Sequence, residues 1–257
     1  MILCIDTGNT NIKCGVFNDA GAIIKTWRLA TDKAATADQY GLLFNQLLAQ
    51  SNIKKQDITG AIVASVVPAL NNTIQQTLTQ ILNFTPLFLG PGIKTGLSLR
   101  YDDPRQLGAD RIASAVAAYN MHGGPVITAD FGTATTFGAV NLRGEFLGGC
   151  ICPGLALAAE ALSDRTACLP SVVFDAPACV IAKNTVAGLQ SGLVYGYIGQ
   201  VEYLVARMRA ELSAPECPVV ATGGMARLIA DRSQAITHVD PELTLKGLAF
   251  LYEKNRG

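Results

Sequence analysis

The sequence repeats one strand-and-turn pattern about half a chain apart. Residues 2–6 form an apolar run that ends in Asp6, with Gly8 two positions later, and residues 126–130 do the same before Gly132. The next turn repeats as well, because G-V-F-N-D-A-G in the first half matches G-A-V-N-L-R-G in the second. Such a repeat implies two similar domains that face each other, although chance similarity of two hairpins would give the same short matches.

The order of the predicted elements indicates a mixed α/β chain. Thr36 or Asp38 could cap the first helix. We predict two domains, residues 1–113 and 114–257, and a C-terminal helix over about 245–254 that could pack on either of them. The remaining predictions are strands at 2–6, about 11–17, about 22–28, 61–67, 126–130 and 218–221, and helices over 40–48, 70–82, 112–119 and 225–230.

Composition excludes several classes of protein. The 257 residues are 49% apolar and 16% charged, with a formal net charge of +0, as is typical of a globular protein with a large core. No run of lysines or arginines supplies the basic face that sequence-independent nucleic-acid binding needs. No apolar segment reaches the length of a membrane span. We therefore expect neither a nucleic-acid partner nor a membrane anchor.

The start of the chain and its cysteines both favour the cytoplasm. The chain begins directly with a strand pattern, and we find neither the basic region nor the small-residue cleavage site of a signal peptide. Its seven cysteines are odd in number and irregularly spaced, so we interpret them as buried thiols. His122 and His238 have no metal-ligand spacing to the cysteines, so we expect no zinc centre.

The two Asp-x-Gly turns are candidate phosphate sites. Taken alone, Asp6 and Gly8 are ordinary hairpin residues. On two facing domains, however, two such turns would line a cleft with glycines and carboxylates, and carboxylates tolerate phosphate only with a cation between them. This is the layout of the ATP site in the actin/sugar-kinase/heat-shock (ASKHA) fold. Asp130-Phe131-Gly132 also resembles a protein-kinase signature, but no H-R-D or V-A-I-K motif accompanies it.

Two further segments carry candidate chemistry. Asp110 and Arg111, in G-A-D-R before a predicted helix, could be a general base for a substrate hydroxyl and a clamp for a carboxylate. Alternatively, Asp110 is only a helix-start acid and Arg111 is solvated. Thr222-Gly223-Gly224 could let an adenine or a ribose lie against the backbone, or could simply serve strand-to-helix packing.

These segments together resemble the type III pantothenate kinase family over nearly the whole chain. D-T-G-N-T-N-I-K looks like its first phosphate motif, Y-D-D-P-R-Q-L-G-A-D-R like its pantothenate segment, and D-F-G-T-A-T-T-F like its second phosphate motif. One departure is Gly138, which stands where we expect an acidic residue after T-T-F. The other matches are G-G-C-I-C-P-G at 148–154, R-T-A-C-L-P at 165–170, K-N-T and Q-S-G within 183–192, and T-G-G at 222–224.

The resemblance implies a fold, a reaction and an assembly. The fold would be two ribonuclease H-like domains of the ASKHA type with a cleft between them. The reaction would be the ATP-dependent phosphorylation of pantothenate to 4′-phosphopantothenate, the first step of coenzyme A biosynthesis. The family also implies Mg²⁺ or another divalent cation with ATP, a potassium or ammonium ion, and a cytoplasmic homodimer.

The same resemblance assigns roles to individual residues. Asp110 would be the catalytic base, Asp130 would hold the monovalent cation, and Asp6 would hold the divalent cation. The residues implied to bind ATP are Asp6, Thr7, Gly8, Asn9, Thr10, Asn11, Ile12, Lys13, Thr133, Gly223 and Gly224. The residues implied to bind pantothenate are Tyr101, Gly108, Ala109, Asp110, Arg111 and Thr185.

Two other functions are open at this point. A sugar-type kinase of the same fold would need several polar side chains for its substrate hydroxyls, whereas residues 108–111 offer one acid and one cation. A regulator that binds nucleotide without catalysis, and that controls transcription, is the second alternative. The acids Asp6, Asp110 and Asp130 and the lack of a basic DNA-reading surface argue against it.

Overall fold

The computed structural model describes residues 1–256, which divide into two compact units. The first unit contains Met1–Ala117 and the C-terminal residues from Glu242 onward, and the second contains Ala118–Pro241. In chain order the elements are β1 (Ile2–Thr7), β2 (Asn11–Phe17), β3 (Ile23–Ala30), α1 (Ala37–Gln50), β4 (Gly60–Ser65), α2 (Pro68–Leu82), β5 (Leu87–Phe88), β6 (Ser98–Leu99), α3 (Ala109–His122), β7 (Val126–Phe131), β8 (Ala134–Val140), β9 (Glu145–Gly148), β10 (Ile151–Pro153), α4 (Leu155–Arg165), α5 (Thr185–Glu211), β11 (Val219–Thr222), α6 (Ala226–Ala230), β12 (His238–Val239) and α7 (Leu243–Asn255).

The first unit is built on a mixed sheet with the strand order β3-β2-β1-β4-β5. Strand β1 lies antiparallel to β2 and parallel to β4, and all six of its residues are buried. A central strand that is covered on both faces reads as a continuous apolar run, which is the pattern seen in this segment. Helices α1 and α2 contribute Phe44 and Ile74 to the same core cluster as Leu3 and Ile5 of β1.

The second unit repeats this topology. Within it the strand order is β9-β8-β7-β11-β12, with β7 antiparallel to β8 and parallel to β11, and β10 also pairs with β8. The two orders correspond strand by strand. The strands β7, β8, β9, β11 and β12 take the places of β1, β2, β3, β4 and β5, respectively. The shared order confirms that the matching hairpins belong to an internal repeat and that the chain is of the α/β class.

The core of the second unit lies between its sheet and the long helix α5. Phe131 and Phe137 on adjacent strands stack edge to face, with their ring centroids 6.3 Å apart. Val194 and Val201 of α5 are fully buried in the same cluster. This packing fixes α5 against the strands that carry the second Asp-x-Gly turn.

The C-terminal helix α7, which we expected to pack on either domain, belongs to the first compact unit. It packs against β1, β2 and β4, and its side chains Leu248 and Leu251 are fully buried. Gly247 allows the close contact between α7 and α3, because a Cβ atom there would lie 1.8 Å from the carbonyl oxygen of Ala113. The two units divide after Ala117, inside α3.

The cysteines are less uniformly buried than we predicted. All seven are free thiols, but only Cys4, Cys14 and Cys217 are buried. The interpretation as buried thiols is wrong for Cys168 and Cys179, which are exposed because they lie outside the helices and strands between α4 and α5. Of the helices formed by residues 1–256, none combines the length and the apolar character that crossing a bilayer requires.

Candidate active site

The first phosphate hairpin, residues 6–13, is a tight turn between β1 and β2. The backbone N–H of Gly8 donates a 3.0 Å hydrogen bond to the carbonyl oxygen of Asn11. A Cβ atom on residue 8 would also lie only 3.0 Å from that oxygen, so a glycine suits this close approach. The structure therefore contains the predicted turn at the predicted residues.

Neighbouring segments fix this hairpin from outside. The hydroxyl of Thr31 donates to the Gly8 carbonyl at 2.6 Å, and the Thr31 N–H donates to the Thr10 carbonyl at 3.0 Å. On the other side, the Val66 N–H donates to the Thr7 carbonyl at 3.1 Å. The loop is thus held in one conformation by hydrogen bonds, as preorganised phosphate binding requires.

Two polar side chains are buried where β1 ends. Asp6 is 9% exposed, and in the sheet it lies opposite Lys13 of β2. Thr7 is fully buried, and its hydroxyl oxygen makes no hydrogen bond within residues 1–256. Leaving a buried hydroxyl without a partner costs roughly 1–3 kcal/mol. An unpaired hydroxyl and a buried carboxylate beside a glycine turn fit a bound phosphate with its cation.

Asp110 lies at the first turn of α3, where its own backbone surrounds the carboxylate. The N–H of Arg111 donates to Asp110 Oδ1 at 2.8 Å. A Cβ atom on residue 108 would lie 2.5 Å from the same oxygen, so Gly108 leaves room for the carboxylate to fold back. The sequence therefore places an acid at a helix start, as predicted, and the glycine before it determines its orientation.

The electrostatic surroundings of Asp110 link it to the first phosphate hairpin. Burial raises the pKa of the Asp110 carboxyl, while the Arg111 N–H, the Arg111 guanidinium and the Lys13 ammonium partly offset this rise. Lys13 and Asp110 lie in the same compact unit, although about a hundred positions separate their motifs. Arg111 is itself buried, and Tyr101 is half-buried.

The second phosphate hairpin, residues 130–136, joins β7 to β8 in the second unit. Asp130 lies opposite Thr222 in the parallel pairing of β7 with β11. Gly223 follows with φ +93, and a Cβ atom there would lie 2.5 Å from Asp130 Oδ1. Gly223 therefore packs directly against the carboxylate predicted to hold a cation. The structure brings the second phosphate motif and the T-G-G segment together.

Gly154, the last residue of the G-G-C-I-C-P-G match, packs against this hairpin, a contact that we did not predict from the sequence. Its N–H donates to the Thr133 carbonyl at 3.1 Å, and a Cβ atom on it would lie 2.4 Å from both the Gly132 and Thr133 carbonyl oxygens. Only glycine can approach the turn so closely. The Pro-Gly pair directly before α4 was the available sequence signal, because such pairs mark turns that bring backbones together.

The remaining predicted residues also lie in the second unit. Thr185 is the first residue of α5 and is exposed, and the helix is capped by Asn184, whose side chain accepts from the Ala187 N–H at 2.9 Å. A Cβ atom on Gly224 would meet no atom within 4 Å, so the surroundings of this glycine are open.

Gly138, the departure from the family pattern, has a packing reason. A Cβ atom at this position would lie 2.8 Å from the Thr128 hydroxyl oxygen and 2.9 Å from the Phe146 ring. No acidic side chain fits there without moving these residues. Thr128 and Phe146 occupy the space that a supporting carboxylate would need.

The donor set determines how cations could bind. Within residues 1–256, no group of three or more His, Cys, Asp and Glu side chains could hold a metal ion. Mg²⁺ in kinase sites typically uses one or two carboxylates together with substrate phosphates and water. Asp6 and Asp130 are single carboxylates beside glycine turns, which fits cations that take their other ligands from ATP, water and backbone.

Solved structures with low sequence identity share this fold. A proposed Baf family transcriptional activator from Campylobacter jejuni is 22% identical, with a TM-score of 0.61 and 98% of each chain covered. The inorganic polyphosphate/ATP-glucomannokinase of Arthrobacter sp. strain KM is 17% identical, with a TM-score of 0.54 and 97% of this chain and 96% of that chain covered. At these identities the likeness concerns the fold alone, and it confirms the ASKHA type.

Sequence comparison is more specific. The profile of the family described as type III pantothenate kinase matches residues 2–207. A type III pantothenate kinase from Moorella thermoacetica is 49% identical over 256 residues, which cover 99% of this chain and 100% of that protein. The hairpins and the Asp110 segment described above lie within both matches. The chain belongs to the type III pantothenate kinase family.

Proposed function

We propose that the residues described above carry out the reaction of the family. As a type III pantothenate kinase, the chain phosphorylates pantothenate with ATP to give 4′-phosphopantothenate in coenzyme A biosynthesis. Two ATPase-like domains supply the site residues. The observation that carries the assignment is the carboxylate of Asp110, held at the start of α3 by the Arg111 N–H at 2.8 Å in the same compact unit as the first phosphate hairpin.

The first phosphate hairpin and Thr133 position the phosphates of ATP. Glycine turns expose backbone N–H groups to phosphate oxygens, and the ammonium of Lys13 adds a positive charge. Asp6, Thr7, Asn9, Thr10, Asn11 and Ile12 complete the first set of contacts. Gly223 and Gly224 bind the adenosine part, where the open surroundings of Gly224 leave room for a ring to lie against the backbone.

Asp110 accepts the proton of the attacking hydroxyl. The hydroxyl oxygen of pantothenate forms a bond to the γ-phosphorus, the bond from that phosphorus to the bridging oxygen of ADP breaks, and the proton passes to the carboxylate. A loose phosphoryl-transfer transition state needs positioning and charge stabilisation more than a strong base. Asp110 therefore orients the hydroxyl as well as accepting its proton.

The pantothenate carboxylate is bound by Arg111. A planar guanidinium can donate two parallel hydrogen bonds to a carboxylate, which a lysine cannot do. Tyr101, Gly108 and Ala109 contact the same substrate, and the resemblance to the family gives Thr185 the same role. These contacts give specificity for an acid with a distant hydroxyl over a sugar with many hydroxyls.

Two cations assist the reaction. Asp6 would hold a divalent cation bound with ATP, and that cation would neutralise phosphate charge during transfer. Asp130 holds a potassium or ammonium ion beside the second phosphate hairpin. The carboxylate lies near the end of β7, directly before the glycine turn, and this placement at the hairpin supports the role. Phosphorylation rates measured in potassium, ammonium and sodium salts test this role of Asp130. Equal rates in the three salts would contradict it.

The active form is a cytoplasmic homodimer. Several large apolar side chains of the second unit are exposed, namely Ile151 at 64%, Val180 at 65% and Ile181 at 88%. Large apolar side chains that are exposed in one chain become buried when they lie in a subunit interface.

ATP turnover by the purified chain tests the proposed reaction. ADP formation is measured with pantothenate, with glucose and without an acceptor, and the product is identified by its mass. We expect ADP and 4′-phosphopantothenate only when pantothenate is present. Phosphorylation of glucose alone would favour a sugar-type kinase. ATP binding without turnover on any acceptor would favour a regulator that does not catalyse.

A further inference from the structure

Tyr197 of α5 contacts both strands of the second phosphate hairpin. Its hydroxyl hydrogen-bonds to the hydroxyl of Thr135 on β8, and its ring lies 6.1 Å from the ring of Phe131 on β7. Thr135 and Phe131 lie opposite each other in the antiparallel pairing of these strands. One side chain therefore contacts both strands of the hairpin that carries Asp130 and Thr133.

The contact between Tyr197 and Thr135 is buried, and it involves a strand that is paired on both edges. Thr135 is 1% exposed and Tyr197 is 8% exposed, so water does not replace the hydrogen bond between them. Thr135 also lies opposite Cys152 in the pairing of β8 with β10, so its strand is paired on both edges. Losing the hydroxyl partner would leave a buried polar atom unsatisfied. The second phosphate hairpin would then lose the hydrogen bond that ties β8 to helix α5.

Tyr197 lies near the candidate cation site, because its ring neighbour Phe131 directly follows Asp130 on β7. Burial raises the pKa of the Tyr197 phenol, and the proximity of Cys152 and Asp130 raises it further, while the bond to Thr135 lowers it. The phenol is therefore neutral under ordinary conditions and keeps its proton for the hydrogen bond. Asp130 is close enough to influence it electrostatically.

We propose that Tyr197 is a positioning residue for ATP and for the monovalent cation, acting through Thr135. The hydroxyl pair holds the second phosphate hairpin in the conformation in which Thr133 meets ATP and Asp130 meets the cation. Tyr197 itself touches neither the phosphates nor the cation. This inference rests on the proposed function of the hairpin and adds a residue on α5 to it.

Single-hydroxyl variants test the proposal. Tyr197→Phe and Thr135→Val each remove one partner and keep the shape of the side chain. We expect each to raise the KM for ATP about fivefold, as the loss of one hydrogen bond would. The concentration of potassium that gives half-maximal rate should rise as well, while the KM for pantothenate changes by less than about twofold. The double variant should be no worse than the more affected single variant, because both remove the same interaction.

Two controls separate positioning from general packing. Thr135→Ser keeps the hydroxyl and should restore the ATP KM to within about twofold of the parent value. Tyr203→Phe removes a hydroxyl from the same helix at a position that is 66% exposed, and it should change nothing. An ATP KM for Tyr197→Phe equal to that of Tyr203→Phe would overturn the proposal. If Tyr197→Phe raised the KM for ATP and the KM for pantothenate equally, the proposal would also be overturned, since equal rises would indicate a general loss of packing in the protein.

The same variants distinguish this inference from the proposed function. If the parent rate is the same in potassium and sodium, the role of Asp130 fails, and the ATP KM alone decides on Tyr197. If pantothenate is not phosphorylated at all, ATP dissociation constants from thermal-shift titration replace the KM values. A weaker ATP affinity of Tyr197→Phe then supports positioning of the hairpin, and an unchanged affinity overturns it. Should Tyr197→Phe not fold, Thr135→Val against Thr135→Ser makes the same comparison.

Discussion

Asp110 owes its orientation to the residues directly around it. Gly108 leaves space for the carboxylate, and the N–H of Arg111 holds Oδ1 at 2.8 Å. An alanine at position 108 would displace the carboxylate, because its Cβ atom would lie 2.5 Å from that oxygen. A base that is fixed before the substrate arrives loses little entropy on binding it. The acid and the glycine two positions earlier therefore act as one unit.

Removing the charge of Arg111 should affect pantothenate and not ATP. Arg111→Met keeps the length of the side chain and loses the guanidinium. Hydrogen bonds to charged groups are worth roughly 1.5–3 kcal/mol, so we expect the KM for pantothenate to rise about 10- to 100-fold. The ATP dissociation constant, measured by thermal-shift titration, should stay nearly unchanged.

Arg105→Met is the matched control for this change. Arg105 lies in the same segment, is exposed and bonds to Asp103 at 2.9 Å. Replacing Arg105 should leave both the KM for pantothenate and the ATP dissociation constant unchanged. A pantothenate KM that is the same in Arg111→Met and in the parent chain would show that another group binds the carboxylate.

The pH dependence of the rate should report the raised pKa of Asp110. Burial raises this pKa above the usual value for aspartate, about 4. As the pH falls through the raised pKa, the carboxyl becomes protonated and can no longer accept the hydroxyl proton. We therefore expect the acid limb of kcat/KM to lie above about pH 4.

The control for this limb is Asp110→Asn, in which the substrates still ionise but the base is absent. The difference between the two profiles isolates Asp110. An identical acid limb in both proteins would assign the limb to the substrates and contradict its assignment to Asp110.

At the scale of elements, local signals predicted most strands and helices of the first unit. Thr36 and Asp38 were both candidate caps for α1, and the structure selects Thr36, whose side chain forms a capping box with Gln39. Helix α5 was not predicted, because it contains four glycines, each unfavourable by about 1 kcal/mol in a helix. It forms nevertheless because its buried face, including Val194 and Val201, packs on the sheet.

The contact between α7 and α3 gives a stability prediction. In an open helix, Gly→Ala stabilises by about 1 kcal/mol. At Gly247 the same substitution should destabilise the protein, because the new Cβ atom would lie 1.8 Å from the Ala113 carbonyl oxygen. Overpacking of this kind costs typically 1–3 kcal/mol, so Gly247→Ala should lower the Tm by several degrees.

Gly41→Ala in α1 is the control for this substitution. There the nearest atom to the new Cβ would be Ile81 Cδ1 at 4.0 Å, which is ordinary contact. Its Tm, measured by calorimetry, should be unchanged or higher. Equal Tm values for the two variants would contradict the close packing of α7 on α3.

At the scale of the whole molecule, the repeat was visible in the sequence but its contacts were not. The matching hairpins predicted two similar sheets, and the five strands of the first sheet have counterparts in the same order in the second. The contact of Gly223 with Asp130 could not be predicted, because it depends on β11 pairing with β7 across about 90 intervening residues. The same holds for Tyr197 and Thr135, which are joined by packing of a helix on a sheet.

The exposed apolar side chains of the second unit predict a homodimer. Sedimentation velocity should give about twice the chain mass of 27.0 kDa. Ile181→Asp places a charge on a side chain that is 88% exposed, so it should weaken association and leave the fold of the monomer intact. A parent chain that sediments as a monomer over the micromolar range would contradict the dimer.

Phosphorylation of pantothenate by Asp110→Asn tests the central claim most directly. Asparagine has nearly the same shape and can still occupy a helix start, but it cannot accept the hydroxyl proton. General-base contributions are about 10²–10⁴ in rate, and a loose transition state needs the lower part of that range. We predict that kcat for 4′-phosphopantothenate formation falls roughly a hundredfold or more, with the ATP affinity and the Tm unchanged. A kcat near that of the parent chain would contradict the account and leave Asp110 as a helix-start acid.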